Sequence, residues 1–219
     1  EVRALWVIRT SITSPASVRA MVTAAAAAGF NTLLVQVRGR GDAFYLSEIE
    51  PRSMSIDEDL SFDPLKMVIE EAHQRGIEVH AWVNTYLVWG PVDPPEDTRH
   101  IVNAHPEWLA VPRSLGRKLY DQDPTEPFYL RELINFAVAN SESVEGLFTS
   151  PSHPGVQKHL LDIWISLANR YPLDGIHFDY VRLPTEEFDY SRSALEQFHS
   201  WVRTRISTKR LLELEAAGK

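Results

Sequence analysis

Asp179 lies in the stretch DGIHFDYVRLP, Asp174 to Pro184, where a histidine, a carboxylate and an arginine (His177, Asp179, Arg182) crowd together. A carboxylate in such a setting can attack, or stabilise, an anomeric carbon that develops positive charge, and a neighbouring arginine favours its ionised form. Side chains alternate faces along a strand, so Ile176, Phe178 and Tyr180 are expected on one side and His177, Asp179 and Val181 on the other. Pro184 stops a strand soon afterwards. Asp179 is therefore expected near a strand's carboxyl end, where parallel α/β folds place their chemistry.

Two earlier runs carry matching parity. Leu34, Gln36 and Arg38 share one face of the second strand, and His80, Trp82 and Asn84 share one face of the third. The residues between them are mostly apolar. An unpaired buried polar group costs about 1–3 kcal/mol, so gathering Arg38, His80, Asn84, His177 and Asp179 on one side predicts either a site or a satisfied internal network. The site reading takes Asp179 as catalytic carboxylate. It places Arg38, Asp42, His80, Trp82, Asn84, His177, Tyr180 and Arg182 around the substrate. Asp42, in GRGDAFY, also fits an ordinary turn aspartate. Asp42, Glu186 and Glu187 are the residues of the right type for a general acid, and none stands out. Trp6, Tyr45, Trp82, Tyr86, Trp89, Trp108 and Tyr180 suit stacking on sugar faces, or simply filling a core. His80, His177 and Asp179 could hold a divalent ion, which makes a metal-dependent hydrolase the third reading. The first strand has no His-x-His pair and HAWVN has a single histidine, so neither a metal nor another cofactor is expected. No G-x-S-x-G elbow supports a serine triad. His105 and His153 precede prolines and read as loop or cap residues.

The elements that must carry these groups alternate strand and helix. Arg3 to Ile8 reads as a buried strand. Ser14-Pro15 starts a helix that runs through an alanine-rich stretch to Gly29. Asn31 to Val37 is the second strand, and the loop Arg38 to Tyr45 follows it. Asp63-Pro64 opens a helix closed by Gly76, and Glu78 to Asn84 is the third strand. A long excursion occupies residues 85–151, with one helix expected over Phe128 to Ala139. Pro154 opens the helix that leads to the Asp179 strand, and a final helix is expected over Ser193 to Leu212. Four βα units predict an α/β fold with a parallel sheet. They are about the first half of an eight-stranded (β/α) TIM-type barrel, within a single domain over residues 1–219. A half barrel leaves two open sheet edges, so further C-terminal polypeptide or a tight partner chain is expected to complete it.

Composition bounds the function. The 219 residues are 44% hydrophobic and 24% charged, ordinary for a globular protein. A net charge of -8 disfavours a nucleic-acid partner. Cysteine is absent, which excludes disulfides and thiolate metal sites. No apolar run is long enough for a membrane span. No targeting segment is visible ahead of the first strand.

Taken together, VQVRGRGDAFYLS, HAWVN, HPEWL, SPSHPGVQKHLLDI and DGIHFDYVRLP resemble the glycosyl-hydrolase-like family ten, from Ala4 to about Tyr190. The resemblance implies a TIM barrel in a bacterial envelope or secreted setting, acting on a carbohydrate substrate. Some relatives cut peptidoglycan sugar strands that lack stem peptides. A non-catalytic glycan-binding barrel is the alternative. More distantly, the last two motifs look like the α-amylase superfamily. Asp179 falls on that family's nucleophilic aspartate, His177 falls where it has arginine, and Asn84 falls near the asparagine ending its third strand. There the general acid is a glutamate on a fifth strand, so the resemblance implies an acid in polypeptide beyond this chain.

Overall fold

A computed structural model describes residues 1–90 and 93–216. In chain order it runs β1 (Ala4–Val7), α1 (Pro15–Ala27), β2 (Thr32–Arg38), α2 (Pro64–His73) and β3 (Glu78–Asn84). The excursion holds β4 (Leu87–Trp89), α3 (Ile101–Ala104), α4 (Arg113–Leu119), α5 (Pro127–Ala139) and β5 (Leu147–Phe148). The chain then forms α6 (Pro154–Arg170), β6 (Gly175–Asp179), α7 (Arg192–Arg203) and α8 (Thr208–Ala216).

Local chemistry sets the helix ends. Ser14 and Ser17 form a reciprocal capping box ahead of Pro15, and Gly29 lets the chain turn at φ +80° where α1 stops. Asp63 caps α2 through the Lys66 amide, and the His153 ring caps α6 by accepting from the Gly155 amide. The final helix differs from expectation. It breaks after Arg203 and resumes at Thr208, because Thr204, its C-cap, turns its hydroxyl back onto the Trp201 carbonyl.

Strands β1, β2, β3 and β6 form one parallel sheet in that order. The side chains of Val35, Val37, Val79, Ala81 and Val83 are fully buried under the helices with Leu65, Val68, Ile163 and Leu167. Phe178 is expected in that layer but is 45% exposed, because β6 is an edge strand; Trp164 of α6 packs on one side of the ring. Tyr180 also departs from the expected alternation. Its φ of +51° ends the pleat and swings the ring onto the Leu87–Phe148 cluster.

The excursion is more ordered than its sequence suggests. Among the described residues it has three α-helices rather than one, plus the antiparallel pair β4–β5. Val88, Ile101, Leu109, Leu133, Val144 and Leu147 give it an apolar core separate from that of the main sheet. Gly146 closes the β4–β5 approach at φ +151°, and a Cβ there would lie 1.8 Å from the Trp89 carbonyl oxygen. Gly146→Ala is accordingly expected to cost about 2 kcal/mol or more, read as a fall in the urea midpoint at unchanged m. A midpoint unmoved by this substitution would contradict the tight approach.

Candidate active site

Asp179 closes β6 and lies in register beside Asn84, the last residue of β3. Its two carboxylate oxygens each accept one hydrogen bond. Oδ2 accepts from the Trp82 indole at 3.1 Å, and Oδ1 accepts from the Tyr180 amide at 2.7 Å. One step down the sheet, Trp82 sits in register with His177. The Trp6 ring meets both of them edge-on, each at 4.7 Å between centroids. Trp6, Trp82 and His177 thus make an aromatic wall below a half-buried carboxylate. This is the face that parity predicted.

The arginine beside Asp179 is engaged elsewhere. Arg182 pairs with Glu145 of the excursion, and its guanidinium lies 5.2 Å from the centre of the Tyr180 ring. The hydrogen bond to Glu145 raises its pKa. Asp179 is therefore held by an indole and a backbone amide, with no arginine in ion-pair contact among the described residues.

Other expected contacts are corrected by the structure. Arg38 does not line the pocket. A register shift between Gln36 and Arg38 pairs Arg38 with Val83, which faces the helix layer, so the bulge reverses its direction. The side chain is fully buried. It forks onto Glu50 at 2.7 and 2.8 Å and also donates to the carbonyls of Asn84 and Thr85. His159 of α6 donates to the same Glu50 at 3.2 Å. Burial alone would raise the Glu50 carboxyl, but the Arg38 charge and the bonds from His159 and Arg38 hold it down at about 2. Burial likewise opposes the Arg38 charge, and Glu50 more than restores it.

Asn84 is 2% exposed. Its amide donates to the Gly39 carbonyl at 2.8 Å and its oxygen accepts from Gln36 at 3.5 Å. It ties the loop after β2 to the end of β3 rather than offering itself to a ligand. Asp42 accepts from the Arg40 amide and closes that loop as a turn aspartate. His80 has the right parity but the wrong height. It pairs with Gly175, four residues before Asp179 and so roughly 13 Å lower along the strand. There it covers Gly175 and approaches Glu78 at 3.9 Å. Tyr45 is a core residue, and Trp108 is stacked under His105 at 3.8 Å. Among the described residues, no three His, Asp or Glu side chains converge closely enough to hold a metal ion.

Glu50, His159, Glu145, Arg9 and Arg40 escaped the sequence reading. For Arg9 a signal existed, since it follows the carboxyl end of β1 as Arg38 ends β2. For Glu50 and Glu145 none did; both sit in polar loop sequence without a motif.

A family model described as glycosyl hydrolase-like 10 matches residues 1–212. The chain is 32% identical over 155 residues to glycosyl hydrolase DigH of Escherichia coli (strain K12), a match covering 69% of this chain and 30% of that protein. It is 36% identical over 196 residues to glycosyl hydrolase YngK of Bacillus subtilis (strain 168), covering 82% and 32%. The chain thus spans about a third of the length of these curated relatives. Among solved structures, it is similar to α-L-fucosidase isoenzyme 2 from Paenibacillus thiaminolyticus, with TM-score 0.56, 16% identity, and 91% of this chain and 26% of that one covered. The PgaB (BpsB) glycoside hydrolase domain from Bordetella bronchiseptica gives TM-score 0.56 at 16% identity, covering 91% and 50%. At such identity the likeness speaks for the fold alone, which is of the TIM-barrel type.

Proposed function

We propose that this chain, which belongs to the glycosyl hydrolase-like 10 family, is part of a glycoside hydrolase that cuts a polysaccharide of the bacterial envelope or exterior, peptidoglycan sugar strands among them. The observation that carries the reading is the Asp179 carboxylate. It stands at a strand's carboxyl end, with one hydrogen-bond donor on each oxygen, above the wall of Trp6, Trp82 and His177. Donors fixed on both oxygens orient a carboxylate that must meet an oxocarbenium-like centre, and flat aromatic faces suit a sugar ring.

In this reading Asp179 is the catalytic carboxylate. Trp82 and the Tyr180 backbone position it, while His177 and Trp6 shape the sugar pocket. Arg182, with Tyr180 beneath it, borders the rim. Arg38, Asn84 and Asp42 act at one remove, by fastening the loop after β2 to the end of β3. His80 lines the floor.

The four-stranded sheet is read as the first four βα units of an eight-stranded barrel, with residues 85–151 as an inserted wall in a single unit. Support comes from the open edges. Trp6, Ile8, Phe178 and Val181 are 45–61% exposed there, more apolar surface than a finished barrel leaves uncovered. The additional length of the relatives is room for the remaining strands and for the acid partner of Asp179. Among the described residues, no helix is long and apolar enough to cross a membrane, and action outside the cytoplasm belongs to this same proposal.

The test is to incubate the full-length protein with peptide-free peptidoglycan strands and with neutral glycans, counting new reducing ends. Cleavage of one class is the expected result. Saturable binding without new ends would favour a glycan-binding barrel instead. One observation leans that way: Glu145, the carboxylate that the excursion brings to the rim, is neutralised by Arg182 rather than left free to act as an acid. Trp82→Phe keeps the ring but deletes the donor on Asp179. It is expected to lower kcat about tenfold with little change in KM. A change confined to KM would make Trp82 a sugar contact only.

A further inference from the structure

Four arginines stand near the rim, and two are committed: Arg38 to Glu50, and Arg182 to Glu145. Arg9 and Arg40 are not. Neither has a carboxylate within ion-pair distance among the described residues, although the chain carries 30 acidic residues against 22 basic ones. Arg9 lies flat across Gly39, where a Cβ would stand 2.7 Å from its Cδ, and its guanidinium donates to the Gln36 side-chain oxygen at 3.0 Å. Arg40 lies against Gly90, where a Cβ would stand 1.4 Å from its Nη1, and reaches the Glu145 backbone carbonyl at 3.5 Å. Two glycines thus open room for two guanidiniums. Asp42 and Glu145 act on Arg40 through space, but neither comes within ion-pair distance of its guanidinium: Asp42 accepts from the Arg40 backbone amide and Glu145 pairs with Arg182.

Both groups lie next to Asp179's surroundings. Arg9 covers Gly39, the Gly39 carbonyl accepts from Asn84, and Asn84 is the register neighbour of Asp179. Arg40 is half-buried; burial first, and the Arg9 charge next, lower its pKa, while Tyr180, Asp42 and Glu145 pull it the other way. Two like charges that feel one another at a partly desolvated rim are an unfavourable arrangement, and a bound anion relieves it.

We infer that Arg9 and Arg40 form an anion subsite beside Asp179 that takes a carboxylate carried by the sugar chain. This rests on the hydrolase reading and adds the chemical class of its substrate. A neutral sugar offers hydroxyls that one guanidinium can bind, but it does not offset two positive charges. A carboxylate does so and matches the planar fork of arginine.

The experiment compares two substrates for the full-length protein. One is peptide-free peptidoglycan strands with their carboxylates intact. The other is the same strands after carbodiimide and borohydride treatment has reduced those carboxylates to alcohols. The wild type is expected to favour the intact strands by about tenfold or more in kcat/KM, a preference that shrinks with added salt. Arg9→Gln and Arg40→Gln should each bring the ratio towards one, and Arg40→Lys should keep part of it. Thermal melts identify any variant that fails to fold, and the remaining one then decides. A wild-type ratio near one, or a ratio untouched by both substitutions, overturns the subsite. If neither strand is cut, the hydrolase reading falls, and the ratio of the two dissociation constants tests the subsite independently.

Discussion

Asp179→Asn in the full-length protein is expected to lower kcat/KM on a cleavable glycan by roughly 10³-fold or more, while the fold survives. The two side chains have the same shape. Only the charge and one acceptor disappear. The amide can still accept from either the Trp82 indole or the Tyr180 amide, but its NH2 must then face the other donor. Losing that one bond costs about 1 kcal/mol, a shift of a few degrees in melting temperature. The catalytic loss is larger because a neutral amide can neither attack an anomeric carbon nor balance its developing charge. Paired rate and melting measurements separate the two effects. Turnover within tenfold of wild type in a folded Asp179→Asn protein would remove this residue from the chemistry.

Glu50→Gln should do the reverse and act first on the fold. It leaves the Arg38 guanidinium fully buried without its counter-charge, and removing one partner of such a pair costs about 3–5 kcal/mol. In a chain of this length that is a fall of about 10 °C in melting temperature. The pH dependence has a definite sign. The folded carboxyl is depressed to about 2 from an ordinary value of 4.5, so its contribution is complete above pH 4.5. That contribution fades as acid takes the pH from 4.5 towards 2. The variant should lack this acid limb, and a wild type equally stable at both ends of the window would contradict the assignment. Replacing both partners, with Glu50→Leu and Arg38→Met together, should recover much of the loss, because no lone buried charge remains.

The sheet was legible in the sequence because its cues are local and repeated. Ser14-Pro15 and Asp63-Pro64 start helices, Gly29 and Gly76 end them, and runs such as TLLVQVR and EVHAWVN have a period of two. The alternation also brought Trp82, His177 and Asp179 to one face correctly. It misled where it was interrupted. The bulge after Gln36 turned Arg38 outward, and the positive φ at Tyr180 turned that ring aside. Parity gives the face of a strand but not the height along it, which is why His80 was grouped with a carboxylate four residues above it. The excursion resisted reading for another reason. Apart from α5 its helices are short, and its core joins residues as distant as Val88 and Val144, a pairing that no local pattern records. Glu50 and His159 meet across 109 positions, and nothing in either neighbourhood marks the other.

The excursion is stitched to the end of β6 and the loop that follows it. The amides of Thr85 and Tyr86 donate to the carbonyls of Asp179 and Tyr180, Tyr190 donates to Val111, and Arg113 donates to Glu187. Anyone hoping to re-tool this scaffold by transplanting residues 85–151 from a cousin would be cutting through those seams. The exchangeable cassette has two parts: the long insert and the stretch from Tyr180 to Ser191 must travel as a set. A chimera built from the insert alone would carry a new wall hung on the old hinge points, with Asp179 the first residue to lose its alignment.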